Sequence, residues 1–276
     1  MQIKLVPILI LLSLSSLNAQ HHLHEILLKA SQFYTSEKYL ESITECKRVI
    51  YFDSEKLYHS TAYEIMGDSY KEAGFFSEAV QAYNLAETFS FNEEAIFNLK
   101  LKKVKINILR RTTSNAHRLL DELDSTFQYS KDEEIFYWRG WTYIFEDDWK
   151  SASIEFTKID SLHELKNFCE KVDNEKYSVT FAKTISAILP GSGQIYSGHY
   201  VNGLVSLGWN VLWGYLSIKA FKADRIFDGM MISSLLWLRF YNGNISNSDK
   251  FVTEKNQEIT NNALYYLQNQ YKGMKP

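Results

Sequence analysis

The chain has 276 residues, enough for one large or two small domains, and its 45% hydrophobic and 15% aromatic content excludes a disordered chain. Its formal net charge of -3 indicates no polyanionic partner, so nucleic-acid binding is not expected. The two cysteines, Cys46 and Cys169, are too few for a disulfide framework. With only three prolines, the composition favours an all-α protein.

The N-terminus has the pattern of a secretory signal peptide covering residues 1–19. Lys4 provides a basic start, residues 5–14 an apolar core, and residues 17–19 a small-residue cleavage site. An uncleaved membrane anchor is the alternative interpretation of the same stretch. Under both interpretations the following segment leaves the cytoplasm, so we expect an exported protein.

A pattern of small and aromatic residues recurs between residues 20 and 164, with copies that start near 23, 60, 97 and 133. The second copy is the clearest, and the third lacks both the glycine and the aromatic residue. The second copy contains Tyr63, Met66, Gly67, Tyr70, Gly74, Phe76, Ala79, Tyr83 and Ala86. This pattern resembles the tetratricopeptide repeat family, which implies a solenoid of stacked helix pairs over residues 20–164.

The resemblance also implies a binding groove, because the first helix of each such repeat lines a concave surface. Aromatic and charged side chains on that surface suit a peptide or protein partner, and an exposed tryptophan favours binding further. An ordinary solvated face is the alternative interpretation. By their positions in the repeats, the expected groove residues are Tyr34, Asp68, Lys71, Lys105, Tyr137 and Trp141.

Charged residues dominate three further stretches. A basic run over residues 100–111 is followed by an acidic run over residues 121–134. The basic run lacks the interleaved aromatic residues typical of nucleic-acid binding, so we expect the two runs on facing helices as surface ion pairs. Residues 165–180 are predicted to form a charged connector or a helix that caps the solenoid.

Residues 184 to 218 contain no Asp, Glu, Lys or Arg, a length that a surface helix of a soluble domain could not sustain. Pro190 predicts a helix break, followed by a first membrane span over about residues 200–218. A weaker second span is predicted over about residues 226–241, after a basic loop expected to stay in the cytoplasm. Small and polar residues recur every fourth position of the first span and predict its packing face: Asn202, Ser206, Asn210 and Gly214.

A glycine-rich motif stands before the first predicted span. Its residues are Pro190, Gly191, Gly193, Gln194, Tyr196 and Gly198. Together with residues 241–245, the motif resembles a small bacterial family of two-helix transmembrane hairpin domains of unknown function, often fused behind helical repeats in envelope proteins. The resemblance implies a membrane hairpin domain over residues 181–256, followed by a C-terminal tail over residues 257–276. It implies no chemistry.

The sequence thus predicts a membrane-anchored, exported adaptor that is not an enzyme and holds a protein or peptide partner on the periplasmic or extracytoplasmic side. Membrane lipid and other envelope proteins are the further partners expected. No catalytic residue, metal or cofactor is expected, because the glycine spacing fits neither phosphate loops nor nucleophile elbows. One alternative is an accessory subunit of a membrane enzyme or transporter that uses the turn over residues 190–198. Another is a soluble secreted repeat protein in which residues 185–241 form a buried hairpin.

Overall fold

The computed structural model describes residues 21–127 and 130–276, and every regular element in these residues is helical. The predicted all-α fold is therefore confirmed for this part of the chain. The predicted signal peptide lies outside the described residues. The chain divides into two compact units, of which the first ends at Lys166 and the second covers Asn167–Lys275.

The first unit consists of four helix pairs, each joined by a short turn. The pairs are α1 (residues 21–35) with α2 (Tyr39–Phe52), α3 (His59–Glu72) with α4 (Phe76–Thr88), α5 (Glu93–Leu109) with α6 (Thr113–Thr126), and α7 (Asp132–Phe145) with α8 (Trp149–Ile159).

The turns within these four pairs share one backbone conformation. In each turn the N–H of one residue donates to the carbonyl oxygen five positions earlier, as from Phe75 to Tyr70 at 2.8 Å. The residue before that donor has a left-handed conformation, which is a common way to end a helix. These left-handed residues, spaced by 36 or 37 positions, are Glu37, Gly74, Arg111 and Asp147. The sequence period therefore has a counterpart in the backbone.

Glycines in two of the pairs make room for a large ring on the second helix. A Cβ added to Gly67 would lie 2.5 Å from Cε1 of Tyr83, and one added to Gly140 would lie 2.6 Å from Cζ of Phe156. Such distances leave no space for a methyl group, so the rings occupy what a side chain would fill. All four residues are buried in the core of the first unit.

The second unit begins within α9 and contains one long, continuous helical run. Its elements are α9 (Glu164–Glu175), α10 (Val179–Ile188), α11 (Ser192–Tyr196), α12 (Tyr200–Lys222), α13 (Ile226–Met231), a π-helical segment (Ile232–Trp237) and α14 (Leu238–Asn269). A helix thus occupies the predicted connector. The helical run that starts at Ile226 continues to Asn269, beyond residue 241, where the second span was expected to end. Apolar side chains that are buried far along α14, including Val252 and Leu267, hold it in place.

Among the described residues, no helix is both long enough and apolar enough to cross a membrane. The predicted transmembrane hairpin is therefore not supported. α12 has 23 residues, a sufficient length, but Asn202, Ser206 and Asn210 interrupt its apolar sequence.

Candidate functional site

Four of the predicted groove residues lie close enough to influence one another electrostatically. The charge of Asp68 on α3 acts on Tyr34 of α1 and on Lys105 of α5, and Lys71 of α3 also acts on Lys105. All four side chains are partly exposed. We call Tyr34, Asp68, Lys71 and Lys105 the first-helix row, because each belongs to the first helix of its pair.

The carboxylate of Asp68 is already neutralised within the first unit. Lys102 Nζ donates to both of its oxygens, at 2.9 and 2.8 Å, and to Glu64 Oε1 at 2.8 Å. The hydroxyl of Tyr83 donates to Asp68 Oδ1 at 2.7 Å, and burial together with the Asp68 charge raises the pKa of Tyr83. Asp68 is therefore fixed in place by its neighbours and is a poor site for a basic partner.

The basic run contacts carboxylates on three helices and not only the acidic run that follows it. Lys100 pairs with Glu122 of α6 at 2.5 Å, as the sequence predicts. Lys102 instead bonds to α3, and Lys103 donates to Glu87 of α4. Sequence proximity identified the charges but not their partners, because the helices on both sides of α5 supply carboxylates.

Lys105 differs from the other lysines of the run, since it has no ion pair within the described part of the chain. Its Nζ lies 4.3 Å from the ring centre of Trp138, a position in which the ring face attracts a cation. Burial, followed by the like charges of Lys71 and Lys102, nevertheless lowers the pKa of Lys105. Lys71 makes one long ion pair, at 3.8 Å from Glu72. The row therefore presents positive charge that an anion would stabilise.

The two groove residues predicted on α7 are buried. Tyr137 and Trp141 have exposed fractions of 8% and 3%, so the expectation of an exposed tryptophan is wrong. The ring of Tyr137 lies 5.1 Å from that of Trp138 and 5.8 Å from that of Phe156. Because α7 carries aromatic residues on several faces, helical spacing alone does not decide which ring meets solvent.

The glycines of the motif in the second unit permit close backbone contacts. Gly191 has a φ of 93°, and a Cβ added there would overlap with the carbonyl oxygen of Gly203 in α12. A Cβ added to Gly193 would overlap with the hydroxyl oxygens of Ser186 and Ser248. These two positions therefore require glycine for packing, and Gly191 requires it for its conformation as well.

Asn244 of α14 connects the motif to the helices around it. Its Oδ1 accepts from the Gly191 N–H at 2.7 Å and from the Ser206 hydroxyl at 2.9 Å, while its Nδ2 donates to the Ser186 carbonyl at 2.8 Å. Gln194, with 1% exposure, donates to the backbone oxygen of Asn244 at 3.0 Å. Asn244 was not among the predicted site residues, and these partners lie 38 to 58 positions away, beyond the reach of local patterns.

The remaining motif residues have structural contacts too. The Tyr196 hydroxyl oxygen accepts from the Ser178 N–H at 3.3 Å, and its ring packs edge-on against Phe181 at 5.2 Å. Pro190 stands between α10 and α11, where it prevents one continuous helix. Gly198 adopts a φ of 86° after α11, with open space around its Cβ position. The motif builds a compact turn.

Of the four residues predicted to pack the hairpin, Ser206 and Gly214 lie against the following helical run, and Asn210 is buried. Ser206 bonds to Asn244, and the buried Asn210 donates to the Ser206 carbonyl at 2.8 Å. A Cβ on Gly214 would lie 3.3 Å from Trp237 Nε1. Asn202 is exposed instead.

Comparisons of the chain with protein-family models, with curated proteins and with solved structures gave no match. Within the described residues, no group of three or more His, Cys, Asp or Glu side chains could hold a metal ion. Burial raises the pKa of both Cys46 and Cys169 to about 12, so these thiols are poor nucleophiles at neutral pH. Function is therefore best sought in the first-helix row and in the surface of the second unit.

Proposed function

We propose that the chain is an exported, non-enzymatic adaptor whose first unit is a tetratricopeptide-like solenoid that binds an acidic segment of a protein partner. Lys105 carries the proposal: a half-buried cation on an aromatic face, without a carboxylate partner in the described residues. The recurring turn at Glu37, Gly74, Arg111 and Asp147 supports the repeat interpretation, because its spacing equals the sequence period.

The charges of the row favour an acidic partner over a basic one. Asp68 is neutralised by Lys102, whereas the positive charges of Lys71 and Lys105 are not neutralised to the same degree. A carboxylate between these two lysines would offset the burial and the like charges that lower the pKa of Lys105, and it would form charge-assisted hydrogen bonds. Tyr34 adds a partly exposed ring against which an apolar side chain of the partner can pack.

The second unit is proposed to attach the adaptor to a membrane, with the solenoid on the extracytoplasmic side. Support comes from its surface, since a soluble monomer rarely exposes so many neighbouring apolar side chains. Attachment would raise the local concentration of the adaptor near membrane-bound partners. The exposed residues of α12 and α13 include Val201, Leu204, Val205, Val211, Tyr215, Ile218, Ile226, Phe227 and Met230.

Fluorescence anisotropy with labelled synthetic peptides tests the acidic-partner proposal on the full chain. A peptide that alternates Glu with Leu is expected to bind, and the matched peptide with Lys in place of Glu is not. Lys71→Ala and Lys105→Ala should each weaken binding by about tenfold, since each removes a charge-assisted contact.

Lys150→Ala is the matched control, because Lys150 is an exposed lysine on a second helix, outside the row. It should leave the affinity unchanged. An equal loss in Lys150→Ala, or equal affinity for the acidic and basic peptides, would show that the row does not select its partner.

A further inference from the structure

A cavity of about 350 Å³ lies between α12 and α14 in the second unit. This volume is at the lower end of the range of roughly 300–1,000 Å³ that is typical of small-molecule sites. It is large enough for a polar headgroup but not for long acyl chains. Its lining includes Val205, Trp209, Asn210, Arg239, Phe240 and Gly243.

The cavity combines a free positive charge with an unused hydrogen-bond acceptor. Arg239 is the charged residue of the lining, no carboxylate lines it, and Arg239 makes no ion pair with any described residue. Asn210 is 4% exposed, and within the described residues its Oδ1 accepts no hydrogen bond. A ligand hydroxyl would satisfy the buried Asn210 Oδ1, because a buried polar atom without a partner is unfavourable. An anionic group on the same ligand would pair with the exposed Arg239.

Aromatic and aliphatic side chains form the apolar part of the lining, beside polar residues such as Ser206 and Asn247. The ring of Trp209 stacks on that of Phe240, with ring centres 5.5 Å apart and planes tilted by 15°. Val205 and Trp209, which both line the cavity, are exposed by 53% and 42%. An apolar chain attached to the ligand would therefore have exposed apolar side chains to lie on.

We propose that this cavity binds the headgroup of an anionic, hydroxyl-bearing amphiphile of the phosphatidylglycerol type. Its phosphate lies at Arg239, a headgroup hydroxyl donates to Asn210 Oδ1, and its acyl chains lie outside, against Val205 and Trp209. The proposal rests on the membrane attachment of the second unit and deepens it, because it gives that attachment a preferred lipid.

Isothermal titration of the full chain in a neutral detergent tests the site with short-chain lipids that stay monomeric. The probes are dihexanoylphosphatidylglycerol, dihexanoylphosphatidylcholine and inorganic phosphate. Saturable binding is expected for the phosphatidylglycerol, with affinity about tenfold or more above that for the other two, because phosphatidylcholine lacks the net charge and phosphate lacks the chain.

Two variants remove the site by different means. Arg239→Gln removes the charge, and Gly243→Leu fills the cavity, since a Cβ at Gly243 meets open space and Gly243 lines the cavity. Both should weaken phosphatidylglycerol binding by about tenfold. Arg225→Gln is the control, because Arg225 is an exposed arginine of the same unit that pairs with Asp228 at 2.5 Å and does not line the cavity.

Equal affinity of wild type and both variants overturns the proposal. Phosphatidylcholine binding as tightly as phosphatidylglycerol overturns the role of charge, and inorganic phosphate binding as tightly overturns the amphiphile in favour of a free anion. Flotation with liposomes tests attachment separately. The Arg239→Gln variant should float like wild type. If the wild-type chain binds the short-chain lipid but does not float, the lipid site is supported and the membrane attachment is contradicted.

Discussion

The two units differ in how much of their apolar surface is exposed. In the first, the fully buried residues are mainly large and apolar, such as Trp138, Phe97 and Leu120. In the second, Gln194 and Asn244 are buried and hydrogen-bonded to each other, while α12 and α13 expose much of their apolar surface. The second unit therefore exposes more large apolar side chains than the first.

This difference indicates what holds each unit together. Burial of apolar surface drives folding where the surroundings are water. Where the surroundings are lipid, that drive is absent between helices, and small residues with interhelical hydrogen bonds take its place. The contacts of Gly191, Ser206 and Asn244 are of this second kind, so packing defects should be most costly there.

The largest stability effect is expected from Gly191→Ala in the second unit. It combines a left-handed conformation with an overlap against the Gly203 carbonyl, so we expect about 3 kcal/mol or more of destabilisation. Gly198→Ala is the matched control, because its φ is also positive but its Cβ position is open, and about 1–2 kcal/mol is expected. Denaturant-dependent hydrogen exchange resolves the two units, and only the second should lose protection. Equal costs for the two variants would mean that close approach to α12 is unimportant.

A smaller effect of a different kind is expected from Gly140→Ala in the first unit. The added methyl group meets the ring of Phe156, so the variant should lose about 1–3 kcal/mol. In the Phe156→Leu background the same change should cost less, because the smaller side chain leaves space. A double-mutant cycle from urea unfolding measures this coupling. Purely additive costs would contradict the assignment of Gly140 to a steric role.

The smallest effect is expected in the pH dependence of peptide binding. Burial and the charges of Lys71 and Lys102 hold the pKa of Lys105 below its ordinary value of 10.5, and a bound carboxylate should raise it. Peptide affinity should then be highest at pH values below the pKa of Lys105 in the free chain, and it should fall as the pH rises toward the pKa of Lys105 in the complex. Within that interval, binding should take up a proton. Lys105→Arg should give a flatter profile, measurable by anisotropy. Identical profiles for both proteins would remove Lys105 from the binding site.

Local patterns in the sequence were enough to predict the helix pairs of the first unit. The spacing of Gly67, Tyr83, Gly140 and Phe156 follows the same period as the turns, because each pair repeats one packing arrangement. The burial of Trp141 could not be predicted in the same way. Which aromatic face of α7 meets solvent depends on its neighbours in space and not on its own period.

The second unit was less accessible from the sequence. The role of Asn244 depends on partners far away in the chain, and an asparagine in a helix gives no local signal of them. The second span was expected to end near residue 241, whereas α14 continues to Asn269, and Val252 and Leu267 are buried along it. The expected end of the membrane span therefore does not coincide with the end of the helix.

The most direct test of the proposed membrane attachment compares one exposed apolar position from each unit in the presence of liposomes. Spin labels are placed on Val211→Cys of α12 and Leu40→Cys of α2, whose native residues are 61% and 69% exposed. Cys46 and Cys169 stay unlabelled, because burial raises the pKa of each to about 12. If the second unit attaches through its apolar surface, the label at 211 should become accessible to oxygen and protected from a water-soluble nickel reagent, while the label at 40 stays accessible to nickel. Equal nickel accessibility at both positions would contradict the account.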